Sequence, residues 1–196
     1  MYPLARMAIP KRNSRPEQIQ SDRRAFHVQS STWEKRSLLQ SEAMATLLID
    51  TLFHYREQGE YKLHAFVVMR DHFHALLTIE GKGTIERVMQ KIKGGFSYRA
   101  RAELGFRGEI WQRGFTDERV WDAEQFISVR RYIYDNPVRR GMVAVAEDYP
   151  FSSAHAKFRK PQGLKPSTSW ALYGTTKVVP LHLYRRFNQA STSQHL

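Results

Sequence analysis

The chain of 196 residues is 41% hydrophobic and 26% charged and contains no cysteine. That length accommodates one buried domain of about 100–150 residues with extensions, and the missing thiols exclude disulfides and thiolate metal sites. Lys and Arg number 31 against 19 Asp and Glu, a net charge of +12, which favours a nucleic acid partner because each neutralised phosphate releases condensed counterions. No apolar run approaches the roughly 20 residues that span a bilayer, and the first ten residues are too interrupted for a signal peptide. A cytoplasmic protein with no membrane partner is expected.

In chain order, residues 1–24 combine Pro3, Pro10 and Pro16 with Lys11, Arg12, Arg15, Arg23 and Arg24, the composition of a basic, irregular arm. Residues 26–33 form a short strand. Ser41 stands as an N-cap before the helical stripe Met44, Leu47, Leu48, Leu52 and Tyr55, which ends near Gly59. The nearly continuous apolar run 63–69 is a central strand, Arg70-Asp71 a tight turn, and 72–79 the next strand. Thr84 caps a second helix carrying Ile85, Val88, Ile92 and Phe96, with Lys93-Gly94-Gly95 as a local irregularity. A strand is expected around Ile110-Trp111. Asp122 then caps a third helix, with Gln125 in the capping-box position and Pro137 as its stop after Asn136.

The order β-α-β-β-α-β-α predicts an α+β fold, a split βαβ (ferredoxin-like, RRM-like) antiparallel sheet with helices on one face. Residues 25–155 make the folded domain, after the 1–24 arm and before a basic 156–196 extension. Beyond Asp148 there is no acidic residue, whereas Lys157, Arg159, Lys160, Lys165, Lys177, Arg185 and Arg186 all lie there.

Two constellations carry candidate chemistry. His72 and His74 are two apart on a strand, so both imidazoles face one side while Phe73 packs into the other. Such a pair can hold a divalent ion and leave positions open for substrate oxygen; with 8 His in the chain, about 0.3 such pairs arise by chance, so the pair alone does not decide. Tyr132 and Asn136, four apart on a helix, share a face. A phenol with a pKa near 10 needs help to act as a nucleophile, and Asn136 offers a neutral oxygen to the same ion. Packing of a helix by Tyr132 is the alternative. Gly81-Lys82-Gly83-Thr84 lacks the spacing of a phosphate loop, and Trp111-Gln112-Arg113 suits either base stacking or core packing.

Taken together, Val67-Val68-Met69-Arg70-Asp71-His72-Phe73-His74, Trp111-Gln112-Arg113-Gly114-Phe115, Tyr132-Ile133-Tyr134-Asp135-Asn136-Pro137 and Asp148-Tyr149-Pro150-Phe151-Ser152-Ser153-Ala154 resemble the REP-associated tyrosine transposases, within the IS200-like single-tyrosine (HUH) transposases. The resemblance implies a divalent metal, Mg2+ or Mn2+, on His72, His74 and Asn136, and Tyr132 as the nucleophile. Tyr134, turned about 200° away around the helix, falls outside the site. The implied reaction is metal-dependent single-strand DNA cleavage and rejoining through a 5′-phosphotyrosine, on hairpins of repetitive extragenic palindromes, by a monomer or homodimer. Arg23, Arg24, Lys91, Lys93, Arg113, Arg139, Arg140, Lys157, Arg159 and Lys160 are the candidate DNA contacts. A non-catalytic single-strand nucleic-acid-binding module is the competing reading, since the same sheet serves RNA binders. A plasmid-type nicking or replication-initiation enzyme is a third; the short chain without a helicase segment argues against it.

Overall fold

The computed structural model describes residues 23–158. Four strands, β1 (Arg23–Ser31), β2 (Lys62–Val68), β3 (His72–Glu80) and β4 (Thr116–Val120), alternate with α1 (Glu42–Glu57), α2 (Ile85–Leu104) and α3 (Ala123–Arg139) in the expected order. The sheet runs β2-β3-β1-β4 with every neighbouring pair antiparallel. This is the α+β split βαβ arrangement.

The two faces of the sheet are both buried. Phe26 and Val28 of β1, Phe73, Ala75, Leu77 and Ile79 of β3, and Phe66 and Val68 of β2 form one core with the apolar faces of α1 and α2. Fully burying each such side chain stabilises the fold by about 1.5–3 kcal/mol. Ala65, Val67, Met69, Leu76 and Val120 project the other way and pack with Ile133, Phe126 and Val129 of α3 and with Tyr149. So α1 and α2 share a face as anticipated, but α3 crosses to the opposite one. The alternation of β3 requires it: Phe73 commits its face to α1 and α2, and a tyrosine helix that is to meet the histidines must lie on theirs.

Local chemistry accounts for most element ends, and some differ from expectation. Thr84 accepts from the Arg87 amide at the start of α2, and Gly105 in the left-handed region (φ 64) ends it. Lys93-Gly94-Gly95 is no irregularity: α2 is continuous there, and Gly95 lets Tyr55 of α1 approach, since a Cβ on it would sit 2.9 Å from the ring's Cε2. The strand expected around Ile110-Trp111 is only a bridge between Thr32 and Trp111; β4 begins five residues after Trp111. Asp122 accepts from the Gln125 amide, 2.8 Å, whereas Gln125 Oε1 accepts from Trp121 N, 2.9 Å, one residue earlier than in a capping box.

Pro137 does not stop α3, which runs to Arg139 with the proline inside its last turn. Arg140 N still reaches the Asn136 carbonyl, 3.1 Å, and Gly141 (φ 65) closes the helix. β1 begins at Arg23, inside the stretch read as the arm. Residues 149–153 seal the β2 edge: Val68 N donates to Phe151 O (2.9 Å), Ser153 N to Phe66 O (2.9 Å), and Tyr149 Oη to Val68 O (2.9 Å). An edge strand is thereby withdrawn from intermolecular pairing.

Candidate active site

The β2–β3 hairpin turn is pinned from several sides. Met69 N donates to His72 O at 2.8 Å, Thr32 N to Asp71 O at 2.8 Å, and Leu39 N to Arg70 O at 2.9 Å. Thr32 Oγ1 donates at 2.6 Å to Arg36 O and lies 3.0 Å from Asp71 O. The first residues of β3 therefore start from a fixed position. His72 and His74 are both buried on the α3 face, with ring centroids 5.0 Å apart and planes at 87°.

Each imidazole has its Nδ1 engaged. His72 Nδ1 donates to Asp71 Oδ1 at 2.6 Å, and a carboxylate, which only accepts, leaves the lone pair of His72 on Nε2. His74 Nδ1 lies 3.1 Å from Nε2 of His27. Burial, aided by His27, His72 and Arg140, lowers the His74 pKa to about 3; burial also lowers that of His27, against the charge of Glu118. Neutral imidazoles are what metal ligation demands.

The helix α3 brings Tyr132 to the histidines and carries Asn136 one turn further on. The Tyr132 ring stands edge-on to His74 (5.5 Å, 88°) and to His27 (5.8 Å, 72°), yet it is 39% exposed, so one side meets the site and the other meets solvent. Asn136 is buried, and its Nδ2 donates to the Tyr132 carbonyl at 3.1 Å, which leaves Oδ1 as the end able to ligate. Two imidazoles and a carboxamide oxygen form a donor set that suits a divalent cation. Among the described residues no three His, Asp or Glu side chains form a group that could hold a metal ion. Tyr134 packs into the core on this face.

The candidate DNA contacts fall into distinct environments. The Arg139 guanidinium lies 5.4 Å from the Tyr132 ring centroid, and the charge of Arg140 acts on His74; both are exposed beside the site. Arg113 is exposed in the loop before β4, and Lys157 lies over Phe151 and Phe158. Arg23 pairs with Glu80 at 3.1 Å, and Arg24 donates to the Gly81 and Gly83 carbonyls. Lys91 pairs with Glu60, while Lys93 donates to the carbonyls of Gln112 (2.9 Å) and Gly114 (2.6 Å). Trp111 takes the core alternative, against Phe73 and Phe96. Arg159 and Lys160 lie outside the described residues.

Two residues of this site are absent from the sequence-based set. Asp71 was assigned only to the turn, although an acidic residue directly before His72 was a usable signal. His27 could be placed on a strand but not beside His74, because strand order and register bring them together.

The split βαβ sheet carries a helix-borne tyrosine beside paired histidines, and its second face is covered by α3 rather than left open as in RNA-binding sheets. The family described as IS200-like transposase matches residues 21–136, and the chain belongs to that family of transposase enzymes. The REP-associated tyrosine transposase of Escherichia coli K12 is 26% identical over 159 residues, 77% of this chain and 91% of its own length. A solved REP-associated tyrosine transposase bound to a REP hairpin superposes with a TM-score of 0.57 at 23% identity, over 66% of this chain and 76% of that one; this likeness concerns the fold. Among the described residues no helix is long and apolar enough to cross a membrane.

Proposed function

We propose that the protein is a metal-dependent single-strand DNA endonuclease and strand transferase of the REP-associated type, with Tyr132 as its nucleophile. The observation that carries this reading is the Tyr132 ring edge-on to His74 at 5.5 Å, with Asn136 one turn further along the same helix. The hairpin-bound relative supports hairpin DNA as substrate.

His72, His74 and Asn136 would hold a divalent ion, Mg2+ or Mn2+, which would supply Lewis-acid stabilisation of a phosphate oxygen. Tyr132 Oη gives up its proton to solvent and attacks phosphorus: the Oη–P bond forms, the P–O3′ bond breaks, and the departing 3′ oxygen takes up a proton from solvent. The products are a 5′-phosphotyrosine and a free 3′-OH, and attack by that hydroxyl reverses the step without an energy source. Arg139 and Arg140 flank the phosphate at the site, while Arg113 and Lys157 hold the strand further out.

Incubation of the protein with single-stranded hairpin DNA and Mn2+, followed by denaturing electrophoresis, tests this. A covalent adduct that vanishes in chelator and in Tyr132→Phe is expected; strand binding without any adduct would instead favour a non-catalytic binding module.

A further inference from the structure

The two presumed ligands differ in what holds them. A carboxylate fixes His72, since Asp71 Oδ1 can only accept and so keeps the proton on Nδ1. No acidic group does this for His74, whose Nδ1 faces another imidazole, that of His27. In the strand register Gln29 is the partner of His74 and His27 that of Leu76, which puts His27 diagonally beside His74 on the same face. The rings are stacked, with centroids 5.2 Å apart and planes at 24°.

Two neutral imidazoles facing each other through one nitrogen apiece must place one proton between them. There are two arrangements. If His27 donates, His74 carries its own proton on Nε2, and that nitrogen has no lone pair for a cation. If His74 donates from Nδ1, its Nε2 lone pair is free and turned away from β1. Resting on the metal reading above, we infer that His27 is a positioning residue: its Nε2 accepts from His74 Nδ1–H and so fixes the ligating tautomer and ring angle of His74. The remaining His27 proton then sits on Nδ1. Glu118 is the register partner of His27 in β4, and its charge acts on that imidazole.

The pair is also shielded. His74 is 2% exposed, and the Tyr132 ring covers both imidazoles edge-on, so water competes poorly for the Nδ1 proton. With its Nε2 turned onto His74, His27 acts on the site through that residue.

Mn2+ binding to the full chain, followed by the electron paramagnetic resonance of free hexaaqua Mn2+, tests this without recourse to activity. His27→Leu keeps the bulk and removes the acceptor, and is expected to weaken Mn2+ binding by about 10–100-fold, the usual effect of losing an outer-shell partner. His27→Gln offers an amide oxygen near the place of Nε2 and is expected to bind close to the wild type. Long-range 1H–15N spectra of the metal-free wild type should show His74 protonated on Nδ1 and bare on Nε2, with a tautomer mixture in His27→Leu. If His74→Ala abolishes Mn2+ binding while His27→Leu leaves it unchanged, the role of His27 is overturned and the metal reading stands. If His72→Ala and His74→Ala both bind like the wild type, the metal reading falls and this inference with it. Should His27→Leu not fold, the wild-type spectrum decides alone, and a proton on His74 Nε2 overturns the assignment.

Discussion

The Tyr132 ring meets the His74 imidazole edge-on, 5.5 Å between centroids and 88° between planes, although the two residues belong to a helix and a strand 58 positions apart in the chain. Tyr132→Phe preserves this packing and removes only the hydroxyl. Cleavage and adduct formation are therefore expected to drop by about three orders of magnitude or more, with hairpin affinity nearly unchanged. Tyr134→Phe, altering a ring in the core, should leave cleavage intact. Activity lost in the Tyr134 variant and kept in the Tyr132 variant would reassign the nucleophile.

His72→Ala and His74→Ala should each remove saturable Mn2+ binding, because a site of so few protein ligands does not survive the loss of one. Asp71→Asn is milder: it keeps a hydrogen-bonding group beside His72 Nδ1 but removes the charge, and about 10–100-fold weaker binding is expected. Isothermal titration with Mn2+ measures all three, and an Asp71→Asn protein with wild-type affinity would reduce Asp71 to a turn residue.

His64 provides a stability test remote from the candidate ligands. Its Nε2 lies 2.8 Å from Thr78 Oγ1, its ring abuts Phe126, and burial, then the charges of Lys62 and Arg130, lower its pKa to about 4 from the ordinary 6.5. The unfolded chain thus takes up this proton first as pH falls. The stabilising difference is complete above about 6.5 and is lost progressively toward 4, at no more than about 1.4 kcal/mol per pH unit. Urea unfolding at neutral and mildly acidic pH should show that loss. His64→Gln keeps a hydrogen-bonding group without titrating and should lessen it; an unaltered pH slope would exclude His64 as a source.

Gly95 of α2 faces the Tyr55 ring of α1, where an added Cβ would lie 3.0 Å from Cζ of Tyr55 and nearer still to its hydroxyl. Gly95→Ala is expected to destabilise by about 1–3 kcal/mol through overpacking, despite the better helix propensity of alanine. Tyr55→Phe in the same chain removes the nearest atom and should recover part of the loss. Thermal unfolding of both variants decides it, and a stabilised Gly95→Ala would show that Tyr55 swings aside freely.

These sites differ in how far sequence alone could reach them. His72 and His74 share a face because strand side chains alternate, a local property readable from spacing, and Tyr132 with Asn136 follows equally from helical period. The face taken by α3 is not local: it depends on where Phe73 is committed, and only the pairing of both constellations fixes it. His27 needed strand order and register, which no single segment encodes. Pro137 fails to end the helix because its cost falls in a last turn where few amides remain to be satisfied, and charge in a sequence does not reveal that Lys91 meets Glu60 or that Lys93 meets the carbonyls of Gln112 and Gly114.

Arg139 and Arg140 separate phosphate binding from packing. Arg139 lies over the Tyr132 ring, so its replacement could act by loosening the tyrosine or by losing a phosphate. The two differ in salt dependence. A lost phosphate contact lowers the slope of log K against log salt by about 0.7 for single strands, whereas a lost cation–π contact leaves that slope alone and alters cleavage instead. Arg139→Gln and Arg140→Gln are each expected to weaken hairpin binding and to flatten the slope by about that amount. Truncation after Lys160 removes Lys165, Lys177, Arg185 and Arg186 and serves as the comparison, with a shallower slope expected and the 23–158 fold intact. Affinities at several salt concentrations, with thermal unfolding alongside, measure both. An unchanged slope in the arginine variants, together with slower cleavage, would assign Arg139 to holding Tyr132 rather than to the DNA backbone.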